Sequence, residues 1–253
     1  MRHDNLFRTG FYLAVAILAV VATAVSTATN QEKPVYRSTG SEGTIVGTVS
    51  FAGKPPEPRR IDTSADPVCT TLSPDLTTDW VVVNDRKLAN VFVYVRGENL
   101  DLYSFEPASP TVVLEHKGCR YLPHVFGMQT QQTLRVLNDD NTTHNTHPTP
   151  KNNREWNQSQ PPGAIIEQRF PWPDLFIPIK DNQHPWEKAY VGVLSHPFFS
   201  VSATNGTYKI SGVPPGHYTI VAWHERLGEQ TLEIFLAGSE QKTVDFTFNA
   251  SDH

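Results

Sequence analysis

The run Thr133-Leu134-Arg135-Val136-Leu137 passes directly into Asn138-Asp139-Asp140-Asn141-Thr142-Thr143-His144-Asn145. Apolar residues at every second position predict a strand with one buried face. The polar residues that follow predict a loop that delivers His144 to the rim of a sheet. Forty residues later a second loop, Asp181-Asn182-Gln183-His184-Pro185-Trp186-Glu187, brings another imidazole. Pro185 and Trp186 stiffen that loop and shield one side of whatever His184 binds. Two neutral imidazoles at one sheet rim are ligands for copper or zinc, so the fold and the chemistry are read from the same two segments.

Outward from these loops the pattern stays β. Short alternating segments occur at 44–49, 80–83, 91–95, 111–114, 190–194, 208–210, 218–222, 232–236 and 244–248, separated by turn residues. Twenty prolines and fifteen glycines, with few stretches of helical period, argue for antiparallel sandwiches and against a helical protein. The stretch 147–162, rich in Asn, Pro and Gln, predicts a long surface loop.

The first residues have a different character. Arg2 and Arg8 precede the apolar run 11–25 and the small residues Ser26-Thr27-Ala28, the pattern of a secretory signal over residues 1–28. A membrane-spanning helix needs about 20 apolar residues, and this run is shorter, so cleavage is expected over an uncleaved N-terminal anchor. The expected location is periplasmic or extracellular. Removing Arg2, Arg8 and Asp4 from totals of 21 basic and 26 acidic residues leaves 19 and 25, a formal −6. That balance offers nothing to attract nucleic acid. Two cysteines, Cys69 and Cys119, in an exported chain predict a disulfide. Closing a loop of that length is worth about 4 kcal/mol in the chain-entropy model, useful for the weakly patterned, Pro-rich stretch 54–74.

The two histidine loops resemble those of the cupredoxins, in which a strand ending Asn-x-Asp, a His-Asn pair and a Cys-x-x-His-Pro-Trp-Met loop build a copper site. Residues 121–125 and 132–140 resemble two paired strands preceding the His-Asn motif of that family. The ends of the chain resemble something else. Gly43-Thr44-Ile45-Val46-Gly47-Thr48-Val49 with Ala52-Gly53-Lys54-Pro55-Pro56, and 205–219 with its Val213-Pro214-Pro215-Gly216-His217-Tyr218 turn, are similar to the carboxypeptidase regulatory-like domain. That family is a small prealbumin-like sandwich. The fold expected is therefore all-β: a cupredoxin-like Greek-key sandwich over 78–202, inserted in or fused to a regulatory-like sandwich formed by 43–60 and 203–250.

The resemblance implies His144 and His184 as metal ligands, with Asn145 hydrogen-bonding across to the second loop. At the two outer positions this chain departs from the family, with Asp181 where Cys stands and Glu187 where Met stands. A blue copper site requires a thiolate and a weak axial thioether. Carboxylates at those positions suit a tetragonal copper(II), zinc or manganese ion instead. Copper is the first expectation, zinc or manganese the next, and no metal the remaining one. The spacing Cys119, His124, Met128 also occurs in some copper loops, but this segment precedes the His-Asn motif and Cys119 has Cys69 as a partner. His147 lies close enough to join the site if its loop curls back, and His224 reads as a residue satisfied at a strand end.

No Ser/His/Asp order, zincin helix or phosphate-binding glycine loop stands out, so enzymatic activity is not the leading expectation. The leading expectation is an exported metal-binding protein with an altered copper–thiolate site, related to periplasmic electron-transfer proteins and meeting a periplasmic redox partner. The competing class is a metal-free structural, adhesion or carbohydrate-binding module, with Trp156, Trp172 and Trp186 available to stack on a cell-surface glycan.

Overall fold

A computed structural model describes residues 33–250, and the export signal expected over 1–28 lies outside them. Among the described residues no helix is long and apolar enough to cross a membrane. The regular structure is almost entirely β, as the alternation predicts. It forms two sandwiches with separate cores.

The inner sandwich joins two sheets. One runs Gln158–Gln160, His144–Pro148, Asp174–Lys180, Lys188–Leu194, Val125–Gln129, and the other runs Ile165–Gln168, Thr133–Asn138, Thr111–His116, Tyr121–Leu122. In Thr133–Asn138, Leu134 and Val136 are fully buried and Arg135 is exposed. These two side chains share a core with Leu114, Phe126, Met128, Ile177, Ile179, Val191 and Val193. Burial of each such side chain contributes roughly 1.5–3 kcal/mol, and a slip of one residue would turn the whole set outward. The core therefore fixes the end of this strand and, with it, the start of the first histidine loop.

The terminal sandwich is organised around Gly43–Ala52. That strand pairs antiparallel with Thr207–Val213 and parallel with Gln241–Thr243 and Phe246–Asn249. The opposing sheet runs Phe199–Val201, Phe92–Arg96, Gly216–His224, Gly228–Leu236. Ile45, Val49, Phe51, Val93, Val95, Ile220, Phe246 and Phe248 fill the space between.

Three expectations are corrected. The boundary at 78–202 is too wide, because Phe92–Arg96 and Phe199–Val201 hydrogen-bond within the terminal sandwich. Phe92 through Val95 are buried on both faces. Val93 and Val95 enter the terminal core, whereas Phe92 and Tyr94 meet Phe176, Phe199 and Trp223 at a seam with the inner sandwich. An uninterrupted apolar run carries no signal of which lobe owns it. Second, Val125–Gln129 and Thr133–Asn138 are not paired. The turn between them crosses from one sheet to the other, held by Gln132, whose side chain accepts from the Gln129 N–H (2.7 Å) and donates to the Ser109 carbonyl (2.7 Å). Third, His144 opens the strand His144–Pro148 rather than lying in a loop, and Gln158–Gln160 within the expected long loop pairs with it.

Cys69 and Cys119 are bridged, with Cα atoms 5.6 Å apart. The bond ties the short helix Pro67–Leu72 to the turn before Tyr121–Leu122.

Candidate metal centre

Side chains from five segments converge at one end of the inner sandwich. His116 is the last residue of Thr111–His116, which runs parallel to Thr133–Asn138 and places His116 opposite Asn138. Asn138 pins the loop that follows. Its side-chain amide donates to the carbonyls of Thr142 (2.9 Å) and Gln160 (2.8 Å), and its Oδ1 accepts from the Asp140 N–H (3.0 Å). Asp140 in turn accepts from the backbone N–H groups of Gly118 (2.7 Å) and Cys119 (2.8 Å).

The second loop folds on itself for a local reason. Asp181 Oδ1 accepts from the backbone N–H groups of Gln183 (2.7 Å) and His184 (3.1 Å), a side-chain turn of the kind Asp favours. The Glu187 N–H donates to the His184 carbonyl at 2.8 Å, and the Asp181 N–H to the Glu187 carbonyl at 3.2 Å. The turn thereby sets Asp181 Oδ2 against the Nδ1 atoms of both His144 and His184. Asn145 joins the two loops, accepting at Oδ1 from the Asn182 N–H (3.2 Å) and donating its own N–H to Asp181 Oδ2 (3.2 Å).

Ligand atoms of His116, His144, Asp181 and Glu187 all lie within 4.8 Å of one another, and all four residues are buried. His144 Nδ1 is 2.8 Å from Asp181 Oδ2 and 3.0 Å from Glu187 Oε2. His184 Nδ1 is 3.0 Å from the same Asp181 oxygen, and the two rings have centroids 4.6 Å apart. His116 stacks on His144 at 4.5 Å with its Nδ1 at 2.8 Å from Glu187 Oε1.

The opposite nitrogen of each ring is also held. His116 Nε2 meets Thr146 Oγ1 at 2.9 Å, and that hydroxyl donates to Gln160 Oε1, so the hydroxyl accepts and His116 carries its proton on Nε2. His144 Nε2 faces Asp140 Oδ2 at 3.1 Å, and His184 Nε2 faces Asp66 Oδ2 at 3.0 Å. Asp66 caps the helix Pro67–Leu72 through Oδ1 and accepts from Thr142 Oγ1 (2.6 Å). Three imidazoles thus present Nδ1 to one pair of carboxylates while an outer partner fixes Nε2. An outer hydrogen bond of this kind selects which ring nitrogen is free to ligate.

The charges are strongly coupled. Burial alone would lower the His144 pKa, but its contacts with Asp140, Asp181 and Glu187 outweigh that and raise it to about 11. His184 is raised against its burial by Asp181 and Asp66. Burial would raise the carboxylates, yet hydrogen bonds from His144 and His184 hold Asp181 well below the usual range. Hydrogen bonds from Thr142 and His184 likewise hold Asp66 at about 2. An Nδ1 lone pair cannot face a carboxylate oxygen at 2.8–3.0 Å, so a cation, either a proton or a metal ion, belongs in each gap. Glu187 Oε2 adds a second sign. It is fully buried and accepts no hydrogen bond, with His144 Nδ1, which meets Asp181 Oδ2 at 2.8 Å, standing 3.0 Å away. Such an oxygen is costly unless a cation satisfies it. The donor set of imidazole and carboxylate fits a borderline divalent ion and lacks the sulfur of a blue copper site.

The sequence reading did not assign His116, Asp140 or Asp66 to the site. His116 continues the inward face of Val112 and Leu114, so a histidine on a buried strand face was the available signal. Asp66 had none, since the disulfide and the helix cap bring it from far away in the chain. His147 stays outside the cluster, bonded to Glu155 (2.7 Å) and Asn182 (3.2 Å). His124 is also elsewhere, 2.5 Å from Glu225, and Cys119 is consumed by the disulfide. Of the three tryptophans considered for stacking, only Trp172 is exposed, at 64%. The Trp186 indole donates to the Cys119 carbonyl at 3.2 Å, and its ring lies 5.2 Å from that of His184.

No family model matches this chain, and no curated protein matches it. Among solved structures it is similar to a copper-containing nitrite reductase from Thermus scotoductus SA-01, with 17% identity over 35% of this chain and 23% of that one and a TM-score of 0.31. It is similar to an amicyanin variant in the Cu(I) state, with 18% identity over 35% of this chain and 86% of that one, TM-score 0.30. A purple cupredoxin from Nitrosopumilus maritimus gives 19% identity over 34% of this chain and 99% of that one, TM-score 0.29. The chain spans less than a quarter of the nitrite reductase. The likeness is to a cupredoxin-like portion of about a third of the chain.

Proposed function

We propose that this chain is an exported β-sandwich protein that holds one divalent transition-metal ion among His116, His144, His184, Asp181 and Glu187, without a thiolate. The observation that carries this reading is the shared orientation of the three imidazoles, each with Nε2 engaged by an outer partner and Nδ1 turned to Asp181 or Glu187. Copper(II) is favoured over zinc by the general affinity order, and manganese, which prefers carboxylate and water, suits three imidazoles less well. Such an ion takes the place of the Nδ1 protons, so uptake releases protons and weakens as pH falls. The bound ion supplies Lewis acidity and, for copper, a redox couple. The protein supplies a buried, pre-oriented set of donors. The secretory pattern of residues 1–28 supports a periplasmic or cell-surface location, where a redox protein is the partner class that fits a copper ion.

The test is a titration of the mature protein with copper(II), and separately zinc, in weakly buffered solution with a pH electrode. One equivalent bound with release of protons supports the reading. His144→Gln and His116→Gln each lower the affinity, and Thr146→Val, which removes only the outer partner of His116, lowers it about 10–100-fold. Folded protein that takes up neither ion overturns it.

A further inference from the structure

The disulfide is not placed like a staple that happens to lie nearby. One sulfur, Cys69 Sγ, lies within 4.8 Å of a ring nitrogen of His184 and of an Asp66 carboxylate oxygen. The other, Cys119 Sγ, lies within 4.8 Å of a ring nitrogen of His144 and of an Asp140 carboxylate oxygen. The Cys119 N–H donates to Asp140 Oδ2, the same oxygen that faces His144 Nε2. Both cysteines and both histidines are buried. Two sulfurs and two imidazoles are therefore gathered in one buried volume, with the sulfurs joined to each other.

We infer that Cys69 and Cys119 are a masked pair of metal ligands: once reduced, their thiolates and the imidazoles of His144 and His184 form a second, soft site that takes copper(I) or zinc. The reductant is a dithiol. One of its thiolates attacks a disulfide sulfur, the second resolves the mixed disulfide, and the dithiol leaves as a cyclic disulfide while Cys69 and Cys119 gain two electrons and two protons. The incoming ion then displaces the two thiol protons. Cys₂His₂ is a complete tetrahedral set for zinc, and thiolate selects copper(I). Because His144 and His184 belong to both donor sets, the oxidised protein offers imidazole and carboxylate and the reduced protein offers imidazole and sulfur. The redox state of one bond thus decides which kind of ion the same two histidines hold.

Attachment of the segment that carries Cys69 is thin enough to let the sulfurs separate. Between residues 57 and 79 it holds a single isolated bridge, Arg60 to Thr77, and the six-residue helix. Its ties to the rest of the chain are Ser73 Oγ to the Gly118 carbonyl (2.8 Å), Thr142 to Asp66, His184 to Asp66, and Arg120 to Asp79 (2.5 Å) and the Thr77 carbonyl.

The experiment reduces the full mature protein with dithiothreitol, removes the reagent without oxygen, counts two thiols, and titrates with cobalt(II) as a spectroscopic probe. Reduced protein is expected to bind one equivalent with an intense near-ultraviolet sulfur-to-cobalt band, absent from the oxidised protein and from the Cys69→Ser/Cys119→Ser variant. His184→Gln lowers the affinity of the reduced form about 10-fold or more, as loss of a direct ligand must exceed the loss of an outer partner. Two free thiols without that band overturn the inference, as does a band that His144→Gln and His184→Gln leave unchanged. If reduction loosens the fold, cobalt(II) restores the β-sheet circular dichroism when the site is real and leaves it lost when it is not. The inference shares two histidines with the site proposed above but not its fate: failure of the oxidised protein to bind copper(II) or zinc sinks only the earlier proposal, and failure of the reduced protein to bind through sulfur sinks only this one.

Discussion

Acidification between about pH 6.5 and 4 destabilises this protein through two histidines remote from the metal centre. His196 and His224 are 7% and 1% exposed, and in each Nδ1 accepts a backbone N–H, from Phe198 (3.2 Å) and Arg226 (3.1 Å). Protonating Nδ1 would remove that acceptor and set two N–H groups against each other. Burial pushes both pKa values down to about 4, against opposing charge from Asp101 for His196 and Glu225 for His224. With the folded value below the unfolded value of about 6.5, the unfolded chain binds more protons in this window, so stability falls as pH drops through it. Linkage gives a loss of about 1.6 kcal/mol per histidine between about pH 6.5 and about pH 5, or about 3 kcal/mol for the pair. Against a domain stability of about 5–15 kcal/mol that is a large share. The perturbation is His196→Asn with His224→Asn, because the amide oxygen accepts the same backbone N–H and does not titrate. Urea unfolding followed by tryptophan fluorescence compares variant and wild type at both pH values, and the difference cancels every other group. The variant's stability relative to wild type should improve by about 3 kcal/mol on acidification. A constant difference would refute the claim that these two imidazoles are locked neutral.

Other perturbations test the packing and the site. A Cβ on Gly192 would sit 2.6 Å from Phe92 Cζ at the seam between the sandwiches, so Gly192→Ala should cost about 1–3 kcal/mol in denaturant unfolding. Tyr121 donates from its buried hydroxyl to the Asn145 and Lys180 carbonyls, which flank the two histidine loops. Tyr121→Phe should cost about 1 kcal/mol by the same assay. Asp181→Cys with Glu187→Met restores the sulfur donors to a loop whose histidine and Asn145 contact are already in place, and with copper(II) it should turn blue or green. A colourless double variant would show that the loop geometry does not bring that sulfur to the ion.

The parts of the site that were legible lie within continuous sequence. Alternation in 133–137 located the strand, and the resemblance to a Cys-x-x-His-Pro-Trp-Met loop marked Asp181, His184 and Glu187, which the Asp181 side chain holds in one turn. What was not legible depends on contacts between distant segments. His116 follows the ordinary inward period of its strand, and only parallel pairing with Thr133–Asn138 sets it beside His144. Asp66 reaches His184 across 118 positions of sequence, carried there by a disulfide whose partners were foreseen but whose neighbours were not. The lobe boundary failed for a related reason, since Phe92–Arg96 buries both faces and a strand without polar alternation does not say which sheet it joins.

The central claim is that the three Nδ1 atoms and two carboxylates at the end of the inner sandwich hold a metal ion without sulfur. It is tested most directly by metal analysis of the oxidised mature protein after equilibration with copper(II) and gel filtration, together with its paramagnetic resonance and visible spectra. The account predicts one copper(II) per chain, nitrogen hyperfine structure, almost no colour, and loss of the ion in His144→Gln. Folded protein that elutes free of copper, or that shows the intense visible absorption of a copper–thiolate bond, would contradict it.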